Sequence, residues 1–193
     1  DTDVENYQQL LNDIIAQDIE SERNIEVILL DNDRDGIEQI SEALTTHQNL
    51  DAVHLISHGS DGQIDLGNSI LDVETLNQNL VQISSWGDAF TEQGDFLIYG
   101  CNLAASDIGQ SLVLALSTLT HTDVAASDDI TGHAELGGDW SLEYQTGTIE
   151  SSVAISSETQ QEWNSTLVSP VTADIEPTEL VYTENDPATA ITS

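Results

Sequence analysis

The chain has 193 residues, of which 36 are acidic and only two, Arg23 and Arg34, are basic, so its formal charge is −34 at pH 7. A surface this negative excludes nucleic acids, anionic membranes and inositol phosphates as partners, because binding phosphates needs clusters of Lys and Arg. Hydrophobic residues make up 38% of the chain, enough for the core of one domain, and the single cysteine, Cys101, rules out an internal disulfide.

The first part of the chain predicts two helices separated by a buried strand. Residues 4–17 carry apolar side chains at helical spacing. Residues 25–30 (IEVILL) form a continuous apolar run of strand length, which is typical of a central position in a parallel sheet. An acidic turn at residues 31–36 then leads into a second amphipathic helix at residues 37–44.

The middle of the chain predicts a strand, a hairpin and a helix. Residues 52–57 (AVHLIS) form the strand and run into the motif HGSDG. Residues 63–71 alternate apolar and polar side chains around a Gly-Asn pair, as a β-hairpin does. Asp72 is a suitable N-cap for a helix predicted over residues 73–83.

Beyond the middle, the pattern of strands and helices continues. Residues 95–99 (DFLIY) predict a third buried strand, and Ser106 can cap a helix at residues 108–119. A short strand at residues 123–126 follows, and residues 140–147 (WSLEYQTG) suggest a late β-hairpin.

Strands that alternate with helices predict an α/β fold, with a mainly parallel central sheet flanked by helices on both faces. The composition changes at residue 169, because the remaining segment holds all three prolines and lacks helical periodicity. We therefore predict a globular domain at residues 1–168, followed at residues 169–193 by a linker and the start of another module.

Two side chains with catalytic chemistry follow strands of this predicted sheet. His58 comes after residues 52–57, and Cys101 comes after residues 95–99. If those strands are neighbours, imidazole and thiol emerge at the same edge, and a helix beginning just after Cys101 would favour its thiolate. The amides of Gly59 and Cys101 could then stabilise an oxyanion. The alternative is that Cys101 is an apolar core residue and that the His-Gly pair only forms a turn.

Asp31 has two further interpretations. It ends the run at residues 25–30, where it could orient His58 as the third member of a triad. Its turn also matches the calcium-loop spacing, although a strand and not a helix enters it. The candidate calcium ligands are Asp31, Asp33, Asp35 and Glu42. The alternative is an acidic turn whose carboxylates cap the next helix.

The motifs LISHGSDG and FLIYGCNLA resemble those of the caspase-like cysteine peptidases of clan CD, in which a His-Gly and a Cys close successive parallel strands. This resemblance implies a three-layer caspase-like fold. It also implies that His58 is the general acid or base, Cys101 the nucleophile and Gly59 an oxyanion donor.

The stretch from residue 25 to about residue 167 is similar to an uncharacterised bacterial domain near the N-termini of giant surface proteins. Those proteins continue into cadherin-like or calcium-binding repeats, and residues 181–191 (VYTENDPATAI) resemble the opening of such a repeat. The resemblance implies an extracellular or surface-attached parent protein.

The chain departs from clan CD in ways that limit what can be transferred. Self-cleaving toxin domains sense inositol hexakisphosphate through a basic pocket, which two arginines cannot build. Tyr99 and Gly100 precede Cys101 where caspases have Gln-Ala, so a preference for aspartate is not expected. Relatives that cut after Arg or Lys place an acid in the specificity pocket. Asp128 or Asp129 could serve, or either could be a chance acid in that loop.

The sequence thus favours a cysteine endopeptidase domain that processes its own polypeptide, with residues 165–170 as one candidate scissile region. This chemistry requires no cofactor, and calcium is a candidate structural ligand. The alternative is a non-catalytic N-terminal module of an adhesin that serves folding, retention or ligand binding.

Overall fold

The computed structural model describes residues 1–21 and 24–169. Its helices and strands are, in chain order, α1 (Tyr7–Ser21), α2 (Gly36–Thr45), β1 (Leu50–Ile56), β2 (Gly59–Ser60), β3 (Gln63–Leu66), β4 (Ser69–Leu71), α3 (Val73–Gln78), α4 (Leu80–Ser84), β5 (Phe90–Tyr99), α5 (Asp107–Thr120), β6 (Asp123–Ala126), β7 (Tyr144–Gln145) and α6 (Ser157–Glu162). Short 3-10 helices occupy Ser85–Ala89 and Ala134–Leu136.

The main sheet has four strands in the order β1-β5-β6-β7. The first three are parallel, and β7 runs antiparallel to β6. A second, antiparallel sheet contains β2, β3 and β4, so the hairpin predicted at residues 63–71 is confirmed. The protein is therefore a mixed α/β fold with a mostly parallel central sheet, as the sequence predicts.

Two hydrophobic clusters cover the two faces of the main sheet. The first joins alternate β5 side chains, including Phe96 and Ile98, to residues of α2, α4 and α5. The second joins Leu97, Tyr99 and Cys101 to α1 and to the late tryptophans. Because side chains alternate along a strand, helices on both faces bury residues 94–99 of β5 and make three layers.

The predicted strand at residues 25–30 is wrong. The structure assigns no strand there, and Ile28 and Leu29 are each 47% exposed. The outer edge of β1 instead meets the first residues of the chain: the Asp1 nitrogen donates to the Ile56 carbonyl at 2.8 Å, and Thr2 bonds the Leu30 carbonyl. Residues at the start of the chain thus take the place beside the end of β1 that the apolar run was expected to fill.

Two smaller expectations also differ from the structure. Residues 140–147 form no hairpin of their own, because they contribute β7, which pairs with β6. The helix predicted over residues 73–83 is divided at Asn79, whose φ of −116° and ψ of 23° end α3 before α4 begins.

The segment predicted as a linker and further module, residues 169–193, lies outside the described residues except for Ser169. Within residues 1–21 and 24–169, no helix is both long enough and apolar enough to cross a bilayer.

Candidate functional site

Strands β1 and β5 bring His58 and Cys101 to the same edge of the main sheet. The two strands are parallel neighbours, with Ile56 opposite Tyr99 at their carboxyl ends. The Ser57 amide continues this pairing by donating to the Tyr99 carbonyl at 3.1 Å. The prediction that these two strands are adjacent is therefore confirmed.

Gly59 belongs at this edge because its backbone lies against the turn that follows β5. A Cβ atom at position 59 would lie 2.9 Å from the carbonyl carbon of Gly100 and 3.2 Å from the amide nitrogen of Cys101. Those distances leave no space for a side chain, so glycine is required for this packing.

Cys101 is fully buried. Its Sγ donates to the Thr131 carbonyl at 3.4 Å and accepts from the Thr131 amide at 3.2 Å. Burial raises the pKa of the Cys101 thiol, and the charge of Asp129 raises it further, whereas backbone hydrogen bonds from Thr131, Leu167 and Cys101 itself oppose the rise.

The expectation of a thiolate stabilised by a helix is wrong. Helix α5 begins only at Asp107, with Ser106 as its cap, and a turn separates it from Cys101. Burial dominates the ionisation of the sulfur in this arrangement, so the pKa moves up and not down.

His58 is nearly buried, at 9% exposure, and its ring points toward the start of the chain. Nε2 lies 3.2 Å from the Asp3 carbonyl oxygen, so Nε2 carries the proton in this contact. Nδ1 is buried and has no hydrogen-bond partner, which means that Asp31 does not orient the ring here. Within the described part of the chain, His58 and Cys101 share no hydrogen bond.

Two segments cover this edge of the sheet. We call residues 1–6 the amino-terminal strap and residues 165–169 the carboxyl-terminal strap. In the amino-terminal strap, Val4 is 2% exposed and packs in the same cluster as Cys101. Glu5 joins the straps, because its carboxylate accepts from the Ser165 hydroxyl at 3.2 Å, and its carbonyl accepts from the Trp163 indole at 3.1 Å.

The Gly59 amide, which was predicted to bind an oxyanion, is already hydrogen-bonded to the carboxyl-terminal strap. The Gly59 amide donates to the Leu167 carbonyl at 2.9 Å, and the Gly59 carbonyl accepts from the Ser169 amide at 3.2 Å. On its other side, the Leu167 amide donates to the Thr131 carbonyl at 2.9 Å. The Leu167 peptide therefore lies between Gly59 and the residue that binds the Cys101 sulfur.

The acidic turn before α2 supplies the N-cap of that helix. Asp35 caps α2 by accepting from an amide of its first turn at 2.9 Å, and Asp31 accepts from the Asp33 amide at 2.9 Å. Glu42 forms an ion pair with Arg34 at 2.9 Å. Among the described residues, the carboxylate groups close enough to share an ion do not include this turn.

Asp128 and Asp129 lie in the loop after β6, where Glu143 joins them in an exposed group whose oxygens are within 4.8 Å of one another. Partial burial raises the pKa of Asp129, and the charges of Asp139 and Asp128 raise it further. The Asn102 amide donates to the Asp129 carbonyl, so this loop lies beside the turn that follows β5.

Sequence patterns missed Thr131 and Leu167, the two residues that hold and cover the sulfur. Neither belongs to a motif, and both reach Cys101 through backbone groups, which every residue type carries. A pattern of side chains therefore contains no signal for them.

Comparison with known proteins matches residues 1–167 to the family described as a domain of unknown function (DUF4347). No curated protein and no solved structure matches the chain. The matched residues include β1, β5 and both straps up to Leu167. Since the match spans most of the 193 residues, the chain belongs to the DUF4347 family.

Proposed function

We propose that this chain is a latent cysteine endopeptidase domain of a secreted or surface protein, and that it cleaves its own polypeptide. One observation carries the proposal: the parallel strands β1 and β5 end together, so that His58 and Cys101 follow neighbouring strand ends beside the Gly59 amide. A nucleophile, a proton carrier and an oxyanion donor at one sheet edge are the parts that acyl transfer needs.

The proposed peptidase is latent because the two straps cover His58 and Cys101. The Cys101 thiol is hydrogen-bonded to Thr131, and His58 is bonded to the Asp3 carbonyl. Release of the amino-terminal strap frees the imidazole, whose buried Nδ1 already has no partner and can accept the thiol proton.

The bond between Leu167 and Val168 is the candidate scissile bond, because the Leu167 carbonyl already accepts from the Gly59 amide at 2.9 Å. Cys101 passes its proton to His58, and the thiolate attacks the Leu167 carbonyl carbon. The C–N bond breaks as His58 protonates the Val168 nitrogen. Water then hydrolyses the thioester, which restores the thiol and leaves a carboxylate on Leu167.

The test uses the full chain in urea below the unfolding transition, where local opening precedes global unfolding. Intact-mass spectrometry should find a break between Leu167 and Val168 that is absent in both Cys101→Ala and His58→Ala. Each variant is incubated in separate samples with calcium and with a chelator. Alkylation of Cys101 in the same urea shows that the site has opened.

The second candidate is the non-catalytic adhesin module, and the complete burial of Cys101 with a raised thiol pKa favours it. The same experiment separates the two functions. If Cys101 becomes alkylated in urea while the chain stays intact in every condition, the peptidase proposal is wrong and the packed thiol is structural.

A further inference from the structure

Three carboxylates meet at the end of the sheet opposite the covered edge. Asp95 of β5 and Asp123 of β6 are partners at the first position where these strands pair. Glu150, which follows β7, completes the group, and one carboxylate oxygen of each residue lies within 4.8 Å of the other two. The group thus draws on three separate segments of the chain.

Asp95 is the unusual member, because its side chain is completely buried in the sheet. Its Oδ2 accepts from the amides of Glu150 and Ser151, at 3.0 and 2.8 Å. Its Oδ1 is also buried but has no hydrogen-bond partner. A buried carboxylate oxygen without a partner is strongly unfavourable unless a proton or a cation satisfies it.

This group has no cationic partner among the described side chains. The chain has no lysine and two arginines; Arg34 pairs with Glu42, and Arg23 lies outside the described residues. The other described ion pair, between His47 and Glu26, also involves neither Asp95 nor its neighbours. A cation from solution can supply the compensation that these described side chains do not.

The surrounding backbone holds the carboxylates in place. A Cβ atom on Gly147 would overlap the carboxylate of Asp123 in its present position, so the chain passes close to that group at a glycine. The two amides on Asp95 Oδ2 fix the orientation of its carboxylate and leave Oδ1 without a hydrogen-bond partner. Asp123 is half-buried and Glu150 is exposed, which leaves a side open to solvent.

We propose that Asp95, Asp123 and Glu150 bind one Ca²⁺ ion at this end of the sheet. Three carboxylates are hard oxygen ligands that suit calcium or magnesium, and the group contains no His or Cys for zinc. Calcium fits better, because it accepts irregular geometry from three separate segments and completes its shell with water, whereas magnesium demands a near-ideal octahedron.

The full chain, stripped of metal with a chelator, is titrated with CaCl₂ by calorimetry and by thermal unfolding. Calcium at about 100 times its Kd should raise the Tm by roughly 5 to 10 °C. Glu150→Gln, an exposed and conservative change, should weaken calcium binding at least about tenfold, because one charged ligand is lost. Asp95→Asn should abolish the response.

Matched variants identify the site. Glu143→Gln in the exposed acidic group and Asp31→Asn in the turn before α2 remove one carboxylate elsewhere, and both should bind calcium as the parent does. A Tm that is independent of calcium would overturn the proposal. If Glu150→Gln binds calcium as tightly as the parent, calcium binds elsewhere and the proposed site is wrong. If the Tm responds to MgCl₂ but not to CaCl₂, the choice of ion is wrong.

Discussion

Cys101 shows how a single side chain can be chemically capable and still unreactive. Its sulfur donates to and accepts from the same residue, Thr131, and its burial raises the pKa of the thiol. Only the thiolate is a nucleophile, so both the burial and the pKa suppress the reactivity of this sulfur in the covered state.

The raised pKa of the Cys101 thiol predicts that alkylation of Cys101 by iodoacetamide shifts to higher pH. In native protein, the rate should be very low at neutral pH, and its half-maximal pH should lie above that of the urea-unfolded chain. The sign follows from linkage: the fold favours the neutral thiol, so the folded state loses stability as pH rises through the ordinary thiol range and toward the raised pKa.

The control for this measurement is His58→Ala. It should leave the half-maximal pH of the native profile unchanged, because the ring is bonded to Asp3 and not to the sulfur, while loss of this strap contact should raise the rate. A native profile with an inflection near the ordinary pKa of histidine, lost in His58→Ala, would contradict the covered arrangement and indicate a dyad that is already paired.

At the scale of elements, the amino-terminal strap is a short segment fixed to the edge of the sheet by a few contacts. Val4 supplies its buried apolar side chain, and Asp3 supplies the carbonyl that binds His58. A segment with so few buried groups should open at a lower free energy than the whole domain unfolds.

Val4→Ala should therefore expose Cys101 more often. Losing about two buried methylene groups costs roughly 1.5 kcal/mol, which corresponds to about a tenfold faster alkylation through local opening. The matched control is Val113→Ala, the same change at a fully buried valine of the other hydrophobic cluster. Equal acceleration by both variants would show that Cys101 reacts only through global unfolding.

The sequence predicted the elements whose signal is local. Strands β1, β5 and β6 include most of the residues predicted at 52–57, 95–99 and 123–126, because each short apolar run has neighbouring strands and helices to pack against. Residues 25–30 have the same apolar pattern and yet form no strand, because the start of the chain lies beside the end of β1. An apolar run indicates that a segment can be buried, but it does not identify its partner.

Only the placement of the candidate site's two side chains at the ends of strands could be predicted from the sequence. The adjacency of β1 and β5, which the resemblance implies, places His58 and Cys101 at one edge. The ionisation of Cys101 depends on Thr131 and Leu167, which contact it through backbone groups from distant parts of the chain. Spacing along the sequence carries no information about such contacts.

At the scale of the whole molecule, a formal charge of −34 with no lysine means that the folded chain repels itself. In the described residues, the ion pairs Arg34–Glu42 and His47–Glu26 are both exposed in part, so they offset little of this repulsion. Stability must come from the two apolar clusters and from ions in solution.

The Tm should therefore rise with simple salt even in the presence of a chelator. Raising NaCl from about 10 mM to about 1 M shortens the Debye length from roughly 30 Å to roughly 3 Å, which screens repulsion between exposed carboxylates. Differential scanning calorimetry of the parent and of Glu150→Gln should show parallel increases, because screening needs no specific site. A Tm that stays constant or falls with NaCl would mean that self-repulsion does not limit the stability of this fold.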